Sequence, residues 1–313
     1  MRTYLECDNG YREIESWGPE GPQWTPGVWI NVESPDNADF DFLTHCLDIP
    51  EDFLTYTADP DENPRMEQDG KWTLTILRVP METPADDVPF ATVPVGIISD
   101  SKIVVTVSYH HTEVLDEFIA HSRHKAIAVP SPADFVLYLI YCASSWFLNY
   151  LKQISDAVNG AERALQRSVR NKDLMQLMQL GKALVYFNTS LRGDETVIDR
   201  LRHTYPDGID PDLLEDVTIE LRQAINTVNI YTDILNTSTD TFASIISNNV
   251  NEIMKRMTAI TIVLMIPTGI ASFYGMNVGI GLSSNPWAFW IIVGVAAVIT
   301  LLAVLALRLL RWF

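Results

Sequence analysis

The chain has 313 residues, 47% of them hydrophobic, with 22 basic and 40 acidic residues and a net charge of −18 at pH 7. All 40 acidic residues and 20 of the 22 basic ones precede Met257, so residues 1–256 carry a charge of about −20. This charge excludes nucleic acid as the main partner, because a phosphate backbone is bound by clustered Lys and Arg. It attracts cations, but on charge alone the preferred interpretation is that it keeps a large domain soluble.

The cysteines and the N-terminal segment indicate the compartment of the acidic region. Cys7, Cys46 and Cys142 are odd in number, far apart, and form no Cys-x-x-Cys pair. A disulfide framework is therefore not expected, and a reducing compartment is favoured. The first 17 residues are polar and acidic and lack a basic region followed by an apolar one, so no signal peptide is expected.

Residues 1–130 are predicted to form an α/β domain. Apolar runs rich in β-branched residues predict strands at 29–32, 72–79, 93–99 and 102–108. The last two runs flank Asp100 and Ser101, which predicts a hairpin with its turn at these residues. Short helices are predicted at 39–47 and 50–57.

Residues 131–256 are predicted to be a helical region and stalk. Helical periodicity predicts helices at 133–171 and 172–202, followed by a turn rich in Pro, Gly and Asp at 203–211. A third helix opens at Asp212 and meets no breaker before Pro267. If it continues to Tyr274 it is roughly 95 Å long, at about 1.5 Å per residue. Such a helix needs neighbours to support it, and it is predicted to lead directly into a membrane.

A C-terminal domain at 257–313 is predicted to hold two transmembrane helices, at about 257–275 and 287–307. No charged residue or histidine occurs from Met257 to Leu307, an uncharged stretch of 51 residues. A spanning helix needs about 20 apolar residues, and each segment meets that need. The length of the uncharged stretch argues against the alternative, a buried hairpin in a soluble protein.

The charged flanks of the two spans predict their orientation. Lys255 and Arg256 precede the first span, and Arg308 and Arg311 follow the second. Positively charged flanks stay on the cytoplasmic side, so both termini are predicted to be cytoplasmic and the loop at 275–286 to be outside. Tryptophans near the span ends fit the aromatic belts of membrane proteins.

The first span is the more polar of the two. Thr258, Thr261, Thr268 and Ser272 recur at helical spacing and share one face, whereas the second span is apolar all round. Polar residues inside a membrane face a bundle interior or a water-filled path. Two interpretations remain open at this point: a pore built by several chains around the first span, or a helix–helix contact through small polar residues.

The first span ends in Tyr274, Gly275, Met276 and Asn277. This segment resembles the Gly-Met-Asn signature of the CorA magnesium transporters, which stands at the outer end of the first of two C-terminal helices. Residues 251–255 are similar to the family's pre-membrane segment, and 266–268 to its Pro-Thr kink. Residues 59–67, 72–80 and 93–107 resemble its N-terminal domain, so the resemblance covers most of the chain.

The resemblance implies a homopentamer in the inner or plasma membrane that moves hydrated magnesium passively, with cobalt and nickel as further cargo. It implies gating by intracellular divalent cations, with Asp216 matching one regulatory position on the stalk. Gly275, Met276 and Asn277 would form the selectivity filter. Asn251, Met254, Met257 and Thr268, with Thr261 from the polar face, would line the pore, and the two methionines of residues 254 and 257 would form a hydrophobic gate.

Two further functions are weighed against magnesium transport. The outer loop after Asn277 carries no acid where the family usually has one, which leaves open a zinc transporter of the related ZntB-like branch. A non-conducting, membrane-anchored sensor or scaffold is the other alternative. No enzyme is expected, because the sequence holds no phosphate-binding, serine-nucleophile or zinc-protease motif. The pairs His110–His111 and His121–His124 are predicted to be surface histidines rather than zinc ligands.

Overall fold

The computed structural model describes residues 2–7, 11–14, 27–83, 88–125, 131–167, 171–206, 208–276 and 286–310. Side chains are described for all of these except residues 124, 125, 166 and 167. The chain divides into two compact units, Met1–Thr239 and Asp240–Phe313, and the division falls inside one long helix. The boundaries predicted after residues 130 and 256 follow composition rather than packing and stay predictions.

Within the described residues, seven strands form one sheet in the order β2-β1-β3-β7-β6-β5-β4. Neighbouring strands are antiparallel except β3 and β7, which are parallel. The strands are β1 Arg2–Cys7, β2 Tyr11–Glu13, β3 Val28–Glu33, β4 Arg65–Asp69, β5 Trp72–Glu82, β6 Phe90–Ser99 and β7 Ile103–Ser108. The four predicted strands are confirmed as β3, β5, β6 and β7, and β1, β2 and β4 were not predicted.

The predicted hairpin is confirmed between β6 and β7. Ser99 pairs with Val104, and the Asp100 carboxylate closes the turn by accepting the backbone N–H groups of Lys102 and Ile103 at 2.7 and 2.9 Å. A short side chain that bonds to the backbone two residues on is the usual way an Asp stabilises a turn.

Seven helices occur in the described parts of the chain. They are α1 Asn37–Asp41, α2 Glu51–Ala58, α3 Glu113–Lys125, α4 Pro132–Arg167, α5 Asn171–Thr204, α6 Pro211–Tyr274 and α7 Ala288–Leu309. The helix predicted at 39–47 is instead α1 followed by a π-helical turn, Phe42–Cys46. It begins two residues early because Asp36 and Asp39 form a capping box, each side chain accepting the other's backbone N–H.

Helices cover both faces of the sheet, which explains why its central strands are buried along most of their length. On one face, Phe53 and Leu54 of α2 pack against Leu74, Ile76 and Ile98. The opposite face carries an aromatic cluster of Tyr11, Trp29, Phe118 and Phe135, with ring centroids 4.9–6.0 Å apart. Trp29 lies between Val28 and Ile30 in β3 and therefore points to the other side of the sheet.

The three long helices predicted after residue 131 are confirmed as α4, α5 and α6. In the first unit α5 and α6 run antiparallel, since Gly181 approaches Leu235 and the amide of Asn188 donates to Asn229 at 3.0 Å. Gly181 permits this approach, because a Cβ there would lie 3.2 Å from the Leu235 side chain. The predicted helix through Tyr274 is confirmed, and Pro267 does not end it.

In the second unit, α6 and α7 are long and apolar enough to cross a membrane. Most side chains of α7 are exposed in the single chain, including the large ones Phe289, Trp290 and Leu301. A long helix that exposes apolar side chains along its length is stable in lipid rather than in water. The exposed apolar surface of α7 therefore favours a membrane location for this unit.

Candidate functional site

A row of exposed residues runs along α6 through the whole second unit, and we call it the polar stripe. Its members, separated alternately by four and three residues, are Asp240, Ser244, Ser247, Asn251, Met254, Thr258, Thr261, Met265, Thr268, Ser272 and Gly275. All but the two methionines and the glycine carry polar side chains. An average repeat of about 3.5 residues keeps one side of a helix turned toward a common axis in a bundle.

The side of α6 that contacts α7 lies opposite the polar stripe. Ala259 is fully buried, and Pro267 and Ile270 line a cavity of about 630 Å³ together with Ile292 and Ala296 of α7. At about 100° per residue, these α6 positions lie roughly 130–180° from the middle of the stripe, and Ala271, which also lines the cavity, lies nearer the edge of the stripe. Helix α7 therefore leaves the polar stripe uncovered within the chain, and polar groups in a membrane need a partner or water.

The threonine hydroxyls of the polar stripe are all bonded in the same way. Those of Thr258, Thr261 and Thr268 donate to the carbonyl oxygens four residues earlier, at 2.8, 2.9 and 2.8 Å. A hydroxyl has one hydrogen, so each oxygen presents only acceptor lone pairs to its surroundings. The threonines of the stripe therefore present hydrogen-bond acceptors to the groups that face them. Water molecules bound to a cation point their hydrogens outward, so they are suitable donors to these acceptors.

All five predicted pore residues lie on α6 and are exposed. Asn251, Met254, Thr261 and Thr268 lie on the polar stripe, whereas Met257 lies beside it, one residue before Thr258. Met254 and Met257 are each 59% exposed. Their roles as pore lining and gate stay predictions.

Of the predicted filter, Gly275 and Met276 follow the end of α6 and are exposed, with Gly275 N–H donating to the Ala271 carbonyl at 2.9 Å. Asn277 and the outer loop to residue 285 lie outside the described residues. Four members of the stripe were not predicted from the sequence: Asp240, Ser244, Ser247 and Met265. The signal that could have found them is the alternation of four and three residues, continued in both directions from Asn251.

Charged residues stand where α6 becomes apolar. Arg256 pairs with Glu252 one turn earlier, and both side chains are exposed. At the other end of the hairpin, Arg308 lies in the last turn of α7. These are the positions at which long basic side chains reach the polar edge of a membrane.

Asp216, the predicted regulatory residue, lies on α6 in the first unit. It lines a cleft of about 520 Å³ with His121, Tyr138, Tyr141, Asp210, Asp212, Leu213, Ile219 and Glu220. Burial, and after it the carboxylates of Asp210, Asp134 and Asp216, raise the pKa of Tyr138, which reflects the negative potential of this cleft. Among the described residues of one chain, no three His, Cys, Asp or Glu side chains are arranged to hold a metal ion. A metal bound at Asp216 would need ligands from elsewhere, such as a second copy.

The histidines do not form a metal centre in the described part of the chain. His111 is exposed, with Nδ1 3.2 Å from a Glu33 oxygen and Nε2 3.5 Å from an Asp116 oxygen. The hydrogen bond to Glu33 is the main cause that raises its pKa. The ring stands between two carboxylates, so the three groups do not converge on one point. The side chain of His124 lies outside the described residues.

Helices α6 and α7 are long and apolar enough to cross a membrane, and α6 has a polar side turned away from α7. The chain belongs to the CorA-like Mg²⁺ transporter family, whose model matches residues 26–309. This confirms the family predicted from the sequence.

Similar proteins support the same assignment. The cobalt/magnesium transport protein CorA of Methanocaldococcus jannaschii is 25% identical over 297 residues, which are 91% of either chain. The complete structure of the CorA magnesium transporter from that organism matches 98% of this chain and 97% of its own, with 21% identity and a TM-score of 0.82. It confirms the predicted fold: an N-terminal α/β domain, a long helix and two C-terminal apolar helices. The ZntB cytoplasmic domain from Vibrio parahaemolyticus has a similar fold over 80% of this chain, with 14% identity and a TM-score of 0.60.

Proposed function

We propose that this chain is one subunit of a passive channel for divalent cations, with magnesium as the main cargo and cobalt and nickel as further ones. The observation that carries the proposal is the polar stripe of α6, which is exposed, acceptor-rich and turned away from α7. The family and the cobalt/magnesium relative support the class of cargo.

Several copies are needed to enclose a path, because one helix pair cannot surround water. We infer a homopentamer in which the polar stripes of five α6 helices face the central axis and the five α7 helices face lipid. The repeat of about 3.5 residues supports this arrangement, because it keeps the same side of each helix on the axis over many turns. The apolar surface of α7 supports its place on the outside.

The chemistry of the stripe suits an ion that keeps its water. Magnesium loses its hydration shell reluctantly and prefers six oxygen ligands at about 2.0–2.1 Å. The hydroxyl oxygens of Thr258, Thr261 and Thr268 would accept hydrogen bonds from that water shell instead of replacing it. We place the filter at Gly275, Met276 and Asn277, where a ring of Asn277 amide oxygens would select the hydrated ion at the outer mouth.

The methionines provide the means of closing such a path. Met254 and Met257 are large, flexible and exposed, and rings of their side chains would form a hydrophobic constriction that excludes water when closed. Asn251, three residues before Met254, would begin the polar path again on the inner side. The alternative role for both methionines is packing between neighbouring α6 helices.

Orientation and regulation follow from the charges. The basic flanks at Lys255, Arg256 and Arg308 support a cytoplasmic location of both termini by the positive-inside rule. The acidic cleft at Asp216 then faces intracellular magnesium. Magnesium held between this carboxylate and a neighbouring subunit would offset their repulsion, and its loss would let the subunits separate and the path open.

Uptake of magnesium and zinc into proteoliposomes that contain the purified protein tests the proposal. A potential-driven magnesium flux, without added energy source, is the expected result. Zinc flux without magnesium flux would move the protein to the ZntB-like alternative, which the acid-free outer loop at 278–285 keeps open. An intact oligomer that conducts neither ion would instead be a membrane-anchored sensor or scaffold.

The stripe hydroxyls can be tested separately from the filter. Thr261→Val and Thr268→Val each remove an acceptor and change the side-chain volume little. One hydrogen bond from the water shell of the ion to such a hydroxyl is worth about 0.5–1.5 kcal/mol. We expect the double variant to lower magnesium uptake about tenfold, measured as the initial rate in proteoliposomes. Because these hydroxyls bond only to their own helix, the melting temperature should stay close to that of the parent.

Thr300→Val is the matched control for this prediction. Its hydroxyl donates to the Ala296 carbonyl at 2.8 Å, as the stripe threonines do, but Thr300 lies on α7 and lines the cavity between the two helices. Magnesium uptake by the Thr300→Val variant should equal that of the parent. Equal losses in both variants would mean that the hydroxyls support helix packing and do not face the ion path.

A further inference from the structure

Asp194 is a fully buried carboxylate that the transport mechanism does not use. It lies on α5, is 1% exposed, and accepts the backbone N–H of Arg78 on β5 at 3.1 Å. The two residues are 116 positions apart in the chain, so this bond ties helix to sheet. A buried carboxylate is costly to ionise unless it is paired or richly hydrogen-bonded.

The side chain of Arg78 extends from the same strand to a neighbouring acidic loop, residues 59–64. Its Nη1 donates to the carbonyl oxygens of Pro60 and Glu62 at 2.8 and 2.9 Å, and its Nη2 donates to the Thr92 carbonyl at 2.7 Å. These acceptors are neutral, so the guanidinium is bound by the loop backbone and by Thr92 of β6 rather than by a carboxylate. Arg78 therefore fixes the loop next to the buried carboxylate.

The loop also packs directly on α5 beside Asp194. A Cβ at Gly193 would lie 2.5 Å from Pro64 Cγ, which shows how closely the loop approaches the helix at this point. On the far side, the Ser190 hydroxyl donates to Thr92 Oγ1 at 2.9 Å. Lifting the loop would remove the cover of Gly193 and let water reach the neighbouring carboxylate.

The charges around this network come from three elements. Burial is the main cause that raises the pKa of Asp194, opposed by the Arg78 N–H and guanidinium. Burial lowers the pKa of Arg78, and the carboxylates of Asp61, Asp194 and Asp59 oppose this by favouring its charged form; Asp59 and Asp61 come from the loop. On β4, Arg65 pairs with Glu62 and Glu67 at 3.7 and 3.5 Å. The β6 neighbour, Thr92, does not titrate.

We propose that Asp194 is a proton-binding site built into the fold, through which pH controls how firmly the loop at 59–64 is held on α5 and β5. With a proton bound, the buried carboxyl is neutral and the closed loop is stable. Without the proton, the carboxylate carries a negative charge in a site that offers it one backbone N–H donor. The nearby guanidinium of Arg78 already donates to the loop and to Thr92. Opening then becomes more favourable, because water solvates the carboxylate.

The sign of the effect follows from linkage. The closed form has the raised pKa of Asp194, and the open form has the ordinary one. Protonation therefore stabilises the closed loop, and this stabilisation is lost as pH rises from the ordinary to the raised value. Across that interval the open fraction increases up to about tenfold per pH unit, and above it the fraction is constant.

Hydrogen–deuterium exchange of the peptide that spans residues 59–64 tests the proposal in the full-length protein. The rates, divided by the intrinsic rates at each pH, should rise up to about tenfold per unit from pH 5 upward and then level off. Asp194→Asn keeps an acceptor for the Arg78 N–H but cannot ionise, so its corrected rates should not change with pH. Asp199→Asn, an exposed residue on the same helix, should behave as the parent does.

Infrared spectroscopy supplies a second readout that does not depend on folding differences between variants. The parent should show the carbonyl band of a protonated carboxyl that is lost on raising the pH over the same range as the change in exchange, and Asp194→Asn should lack it. The proposal is overturned if the exchange of Asp194→Asn rises with pH as in the parent. It is also overturned if the parent shows neither the band nor a pH-dependent exchange.

Discussion

Asn277→Ala is expected to abolish magnesium uptake in proteoliposomes while the protein still assembles. In the proposed pore the substitution removes five amide oxygens at once from the outer mouth, and each contributes about 0.5–1.5 kcal/mol of hydrogen bonding to the water shell of the ion. Because entry is the step at which the ion leaves bulk water, this loss raises the barrier of every transport event. The initial rate should fall at least about a hundredfold.

Asn285→Ala is the matched control, because it removes the same side chain from the other end of the same uncharged loop. It should leave uptake within about twofold of the parent, and both variants should elute as the same oligomer. Uptake that survives Asn277→Ala would refute the filter and leave the hydroxyls of the polar stripe as the selective element. Equal losses in both variants would point to a general defect of the loop.

Helices, spans and turns of the fold were predictable from the sequence where one signal, such as periodicity, composition or turn chemistry, was strong. Helix α6 was predicted from Asp212 because its apolar positions recur at helical period without a breaker, and the structure begins it one residue earlier, at Pro211. The second span was predicted from composition alone and is confirmed as α7. The hairpin at Asp100 was readable because its turn chemistry is local.

The missed elements lack such a signal. Strand β4, whose sequence is Arg-Met-Glu-Gln-Asp, is polar and largely exposed at the edge of the sheet, and among the described strands it pairs with β5 alone. Charged edge strands resist unwanted pairing, and the same charges hide them from a search for apolar alternation. Strand β2 has three residues and pairs with β1, and the polar residues Arg2, Thr3 and Glu6 of β1 break the apolar run that would signal a strand.

The candidate site was predictable in part for the same reason. Spacing showed that Thr258, Thr261 and Thr268 share a face, but a helix viewed alone does not reveal which side its partner covers. The contact of Ala259 with the interior of the second unit, opposite the stripe, supplied that information. Met257 is exposed and lies one turn before Thr261 of the stripe, and its place in the pore lining stays a prediction. The Asp194–Arg78 bond joins residues 116 positions apart and has no local signature.

Gly96→Ala is expected to destabilise the first unit strongly. A Cβ at Gly96 on β6 would lie 2.0 Å from the methyl carbon of Thr57 on α2, well inside van der Waals contact. Thr57 is 1% exposed and its hydroxyl donates to the Leu54 carbonyl at 2.8 Å, so its side chain is held and cannot turn away cheaply. Overpacking of a buried site costs about 1–3 kcal/mol, and this site should lie near the upper end.

The measurement is the thermal unfolding of the full-length protein, followed by tryptophan fluorescence, and the clash is isolated by a double-mutant cycle. Thr57→Ser removes only the methyl group that a new Cβ would meet and keeps a hydroxyl for the Leu54 carbonyl. Alone it should destabilise slightly, through a small cavity. Combined with Gly96→Ala, Thr57→Ser should restore more than half of the stability that Gly96→Ala loses. The restoration should be incomplete, because the Cβ of residue 57 would still lie 3.2 Å from the new methyl group. Simple addition of the two losses would show that the β6–α2 contact is not what requires glycine at this position.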